Sequence, residues 1–75
     1  MEPIKKYPYN KLTSLLLGKK VHFTSDCQLF PNFNVIGKPI AISLVNGIPL
    51  IKTILTNGKT IQIDGGMSNL SFELL

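Results

Sequence analysis

The sequence predicts a mainly β fold: a small curled barrel of five strands with a short N-terminal helix. Two Asn-Gly dipeptides carry most of that expectation. Asn46-Gly47 and Asn57-Gly58 stand eleven residues apart, between apolar and β-branched runs. Tight hairpin turns need positive φ, which Asn and Gly tolerate. They imply a three-strand meander from about Pro39 to Asp64. The third observation is strict alternation at the C-terminus, where Leu70, Phe72 and Leu74 face one way and Ser71 and Glu73 the other. That period of two is the signature of a strand.

The elements follow in order. Residues 1–8 read as a flexible arm, with Pro3 and Pro8 opposing regular structure and Lys5 and Lys6 keeping it solvated. Residues 9–75 read as one small β-barrel domain. Asn10 is placed to cap a short helix ending at Leu17, with Leu12, Leu15 and Leu16 on one face and Gly18 as its stop. Lys19–Thr24 is the first strand, with Val21 and Phe23 inward. Ser25–Asn34 is a loop that carries unusual apolar mass in Leu29, Phe30 and Phe33. Val35–Val45, bent near Gly37 and Pro39, is the second strand, and its Ile40, Ile42 and Leu44 line one face. Ile48–Leu55 and Lys59–Asp64 are the third and fourth. Gly65–Ser68 turns the chain into Asn69–Leu74, which reads as a strand in preference to a helix capped by Ser68.

The two hairpin turns cannot both hold two residues. Ile42 would then face Ile51, and Ile51 would face Asp64. A slip of one residue moves every side chain to the opposite face. One turn therefore holds three residues. A three-residue Thr56-Asn57-Gly58 turn aligns Ile42, Ile51 and Ile63, with Thr53 beside Ile61. A three-residue Val45-Asn46-Gly47 turn instead brings Leu50 and Ile54 beside Ile42, Ile61 and Ile63. Either register leaves apolar residues on the second face, Leu50 and Ile54 in the first case and Ile51 and Leu55 in the other.

The strand order, with a long first loop, two tight hairpins and a Gly-rich step before the last strand, resembles an SH3-like barrel. With the N-terminal helix it also looks like an Sm-like barrel. The resemblance implies a fold and carries over no functional residue. The acidic and aromatic peptide-binding signature of signalling SH3 domains is missing from the sequence.

Composition narrows the function classes. The chain has 75 residues, eight lysines, no arginine and four acids, for a net charge of +4. So short a chain buries a small share of its surface, and an oligomer or partner would supply more burial. Cys27 is the only cysteine, which excludes an internal disulfide and fits the cytoplasm. No apolar run approaches the roughly 20 residues of a membrane span, and Leu15–Leu17 is too short for a signal-peptide core. The lack of arginine, with nine Ile and six Asn, fits an AT-rich bacterial coding sequence.

His22, Asp26 and Cys27 supply the residue types of a cysteine nucleophile with base and orienter, yet at no recognised spacing. Cys27 reads first as a packed small hydrophobe and His22 as part of a half-exposed strand face. One His and one Cys fall short of a zinc ligand set, and no cofactor or metal is expected. The expectation is a small non-enzymatic protein-interaction or accessory module that can self-associate. Leu29, Phe30 and Phe33 are its candidate contacts. The alternative is a nucleic-acid-binding barrel using Lys19, Lys20, Lys38 and Tyr9. Lysines would track phosphates and aromatics would stack on bases. Without arginine, that binding would favour the backbone over base reading.

Overall fold

The computed structural model describes residues 1–29 and 32–75. Its elements are β1 (Glu2–Pro3), a 3-10 turn (Ile4–Lys6), α1 (Tyr9–Leu16), β2 (Val21–Ser25), β3 (Phe33–Val45), β4 (Ile48–Leu55), β5 (Thr60–Asp64) and β6 (Ser71–Leu74). The strands form one antiparallel sheet in the order β1-β6-β2-β3-β4-β5. The mainly β expectation holds. The expectation of five strands in a barrel is corrected on two counts: the sheet has six strands, and its edges β1 and β5 do not pair with each other.

The meander resolves the register question. Asn46 (φ 52°) and Gly47 (φ 78°) form a two-residue turn with both central residues at positive φ, so Val45 faces Ile48 and Ile42 faces Ile51. The second turn holds three residues. Gly58 sits at φ 86°, its N–H donates to the Leu55 carbonyl at 2.9 Å, and the Leu55 N–H donates to the Lys59 carbonyl at 2.7 Å. Ile51 therefore faces Ile63, and Thr53 faces Ile61. Ile42, Ile51 and Ile63 are all buried.

β3 is 13 residues long and serves two partners. Phe33–Gly37 pairs with β2, and Gly37–Val45 pairs with β4. The register shifts between Pro39 and Ala41, leaving Ile40 as an extra residue. A bulge of this kind bends the strand and inverts its facing pattern. Gly37 and Pro39 point inward before it, and Ile42 does so after it. Ile40 and Leu44 were expected on the buried face with Ile42, but both are exposed, one at the bulge and the other near the hairpin tip.

The core joins Val21, Phe23, Ile42, Ile51, Ile63, Leu70 and Phe72 to Ile4 and to Leu12 and Leu16 of α1. The helix begins one residue before the expected cap. Pro8 is its N-cap, and Asn10 lies inside it, its carbonyl accepting from the Thr13 and Ser14 hydroxyls. The Gly18 N–H donates to the Pro39 carbonyl at 2.9 Å, which anchors the helix exit to β3.

Where the sequence suggested a flexible arm, Glu2 pairs with Phe72 and Pro3 with Ser71. The Ile4 N–H donates to the Leu70 carbonyl, and the Ile4 side chain is 1% exposed. Tyr7 stacks edge-on against Phe72 with ring centroids 5.6 Å apart. A hydrogen bond from Lys6 holds the Glu2 carboxyl below its usual pKa, but so exposed a pair adds little stability.

Glycine positions offer a check on this packing. A Cβ on Gly37 would stand 2.6 Å from the Ile54 carbonyl oxygen, whereas one on Gly47 would meet nothing within 4 Å. Gly37→Ala is expected to lose about 1–3 kcal/mol through overpacking against backbone. Gly47→Ala should lose only about 1–2 kcal/mol from its left-handed φ. Urea unfolding of both variants measures the difference.

Candidate functional site

Three neighbouring features form the candidate site: a clasp, a cleft and an open strand edge. The clasp begins at Ser25, the last residue of β2, which is buried. Its hydroxyl donates to the Ser68 carbonyl at 2.7 Å and accepts from the Cys27 N–H at 3.2 Å. Asn69, at φ 52°, directs its amide to both carboxylate oxygens of Asp26 at 3.0 Å. These bonds tie the start of the β2–β3 loop to the turn before β6. Asp64 accepts the Gly66 N–H on Oδ1 at 2.7 Å, which shapes the start of that turn.

Between the tied loop and β5 lies a cleft of about 470 Å³. Cys27, Leu29, Phe33, Ile48, Ile61 and Met67 give it mostly apolar walls. Leu29 is 83% exposed and available at the mouth, while Phe33 is half-buried against the core. Two of the three residues expected to contact a partner thus meet in one cleft. The third, Phe30, lies outside the described residues.

The backbone of β5 forms the other wall. The Leu55 N–H reaches the Lys59 carbonyl, and the Gly65 N–H reaches the Pro49 carbonyl, each at 2.7 Å. Backbone groups alternate in direction along an antiparallel ladder, so Lys59, Ile61, Ile63 and Gly65 face β4. Thr60, Gln62 and Asp64 turn their N–H and C=O groups to the open side. Their side chains are exposed as well. Only the Asp64 carbonyl has another backbone donor among the described residues, the Met67 N–H at 3.1 Å.

The remaining candidates are dispersed. Lys20 and Lys38 line a second cleft of about 300 Å³ with Ile54 and Leu55. Lys19 is exposed outside that lining. Tyr9 stands on α1, and its hydroxyl donates to the Ile42 carbonyl at 2.8 Å. His22 Nε2 lies 2.7 Å from Asn34 Oδ1, and its Nδ1 lies 3.7 Å from Glu73. Asp26 is held by Asn69. The structure therefore gives His22 and Asp26 partners other than Cys27. The realised register leaves Leu50 half-buried and Ile54 exposed on the second face, beside Lys38. Among the described residues no helix is long and apolar enough to cross a membrane.

Sequence reading pointed to the apolar loop and missed the edge. The signal for it was present in Thr60, Gln62 and Asp64, a polar row on the last strand of the meander. That row became legible as an edge only once β5 was seen to lack a second neighbour.

The clasp is testable through Ser25→Ala. The change removes the bonds to the Ser68 carbonyl and from the Cys27 N–H, both within reach of water, and is expected to cost about 0.5–1.5 kcal/mol. Amide exchange should accelerate at Cys27 while staying slow in β4, which separates local loosening from global unfolding. No family model, curated protein or solved structure matches the chain, so the functional reading rests on this geometry.

Proposed function

We propose that this chain is a non-enzymatic protein-interaction module that takes an extended segment as an added strand on β5. The supporting observation is an open strand edge that is also the wall of an apolar cleft of about 470 Å³. Strand addition draws affinity from main-chain hydrogen bonds and specificity from pockets that take alternate side chains. Thr60, Gln62 and Asp64 supply the first. Leu29, Phe33, Ile61 and Met67 supply the second. The order β6-β2-β3-β4-β5 supports kinship with SH3-like or Sm-like barrels, here with an open seam that the added segment fills. The lone Cys27 supports work in a reducing compartment such as the cytoplasm.

Gln62→Pro removes the central donor of the edge and leaves the β4 ladder intact, because a proline N faces the open side. Random peptides displayed on phage and selected on the wild-type chain are expected to share apolar residues at alternate positions. Their binding should vanish in Gln62→Pro while its melting temperature stays close to wild type. Peptides that bind both proteins equally would refute strand addition.

Lys20 and Lys38, brought to one cleft, support a second reading as a nucleic-acid-binding β-sheet module. It is checked by the anisotropy of a labelled single-stranded oligonucleotide. Binding should fall steeply with added salt and weaken further in the Lys20→Ala, Lys38→Ala double variant.

A further inference from the structure

We infer that the segment added to β5 is β5 of a second copy of this chain, giving a symmetric dimer with Gln62 on its two-fold axis. This inference rests on the strand-addition reading and names its occupant. It follows from three observations about the sheet edges.

The first is that, among the described residues, the two outermost strands of the sheet are not equally open to another copy. At the opposite side β1 covers the first half of β6, pairing Glu2 with Phe72 and Pro3 with Ser71. β1 is two residues long, and Pro3 has no N–H to donate. Short edge strands carrying proline are how sheets discourage further pairing. β5, with five residues and no proline, has no such protection.

The second observation is parity. Thr60, Gln62 and Asp64 present their backbone groups outward, and an antiparallel partner must meet them with residues that do the same. Two β5 strands satisfy this with Gln62 opposite the partner's Gln62, Thr60 opposite the partner's Asp64, and Asp64 opposite the partner's Thr60. The Gln62 pair exchanges both N–H···O=C bonds, and in each flanking pair the Thr60 carbonyl accepts from the partner's Asp64 N–H, while the Asp64 carbonyl keeps its bond from the Met67 N–H. Sliding one strand by two residues in either direction leaves Thr60 or Asp64 without a β5 counterpart, so this register is the fullest one.

The third observation is side-chain complementarity in that register. On the cleft side Ile61 meets the partner's Ile63, extending the buried Ile42-Ile51-Ile63 row across the axis. On the outer side Thr60 meets the partner's Asp64, whose Oδ2 is not used by the Gly66 N–H, and the two Gln62 amides meet each other. Apolar and hydrogen-bonding cross-strand pairs of this kind are favourable, and no like charges stand directly opposite. The nearest cations, Lys52 beside each Gln62, are three strand spacings apart, about 14 Å. That exceeds the Debye length of about 8 Å at physiological salt.

Analytical ultracentrifugation of the full chain tests the inference. A species of twice the 8.3 kDa chain mass is expected at rising concentration, and Gln62→Pro should sediment as a monomer. Added salt should strengthen the dimer, because two chains of charge +4 repel less when screened. If the proline variant fails to fold, Gln62→Cys in a Cys27→Ser background replaces it. The β-carbons of a hydrogen-bonded antiparallel pair lie about 5.5 Å apart, within the span of a short bifunctional thiol reagent, so such a cross-linker should yield a covalent dimer. A chain that stays monomeric, or a dimer indifferent to Gln62→Pro, overturns self-pairing. A synthetic peptide of residues 59–65 then separates the two proposals by NMR. Shifts of the Thr60, Gln62 and Asp64 amides in a monomeric chain reject the dimer and retain strand addition, whereas unmoved amides reject β5 as the occupant and leave strand addition to the outcome of the selected peptides.

Discussion

The fold depends on keeping one inward row continuous across a sheet whose longest strand changes partner midway. Each strand can bury only every second residue, and every pairing must hand that parity on without error. The Ile40 bulge and the three-residue Thr56–Gly58 turn are both places where one residue is inserted and the pattern restored. Before the bulge β3 matches Val35 to Phe23 and Gly37 to Val21. After it, β3 matches Ile42 to Ile51. Without the extra residue, either the first half of β3 or its second half would turn its apolar side to water. Such a loss would exceed the modest stability of a chain this short.

The helix and the N-terminal segment are consequences of the same constraint. A six-stranded sheet that does not close leaves its inner face open at the ends, and Leu12, Leu16 and Ile4 fill that space. Their anchoring bonds reach the sheet where it is irregular. Gly18 bonds to Pro39 just before the bulge, Tyr9 to Ile42 just after it, and Ile4 to Leu70 just before β6. Backbone carbonyls freed from the ladder by irregularity are thereby satisfied, as buried polar groups must be.

Much of this was legible in the residues. Asn46-Gly47 and Asn57-Gly58 located both hairpins because positive φ is a local demand with a local chemical answer. Ile42, Ile51 and Ile63 emerged as a row because burial has a period. The strand character of β6 followed from the alternation of Leu70, Phe72 and their neighbours. The bulge at Ile40 was less visible, since Gly37 and Pro39 advertise a bend but do not say which residue is extra. Glu2 and Pro3 as a strand were invisible, because a two-residue pairing depends on a partner some seventy positions away. The candidate site was half legible: Leu29 and Phe33 stood out by their apolarity in a loop. Thr60, Gln62 and Asp64 stand out as a polar row, but they matter through backbone groups whose openness depends on which strands flank β5, and no local pattern states that.

The two-residue strand at Glu2–Pro3 has a meaning for assembly size. A sheet with one adhesive edge can satisfy it once, and a symmetric pair leaves nothing further to join. A sheet with two adhesive edges can join neighbours on both sides without limit, and contacts that never close build fibres. In the proposed dimer, Glu2 and Pro3 would act as a chain terminator for the sheet. If β5 pairs as proposed, peeling those few residues from β6 would turn a finite pair into a growing filament, with both hairpins left in place.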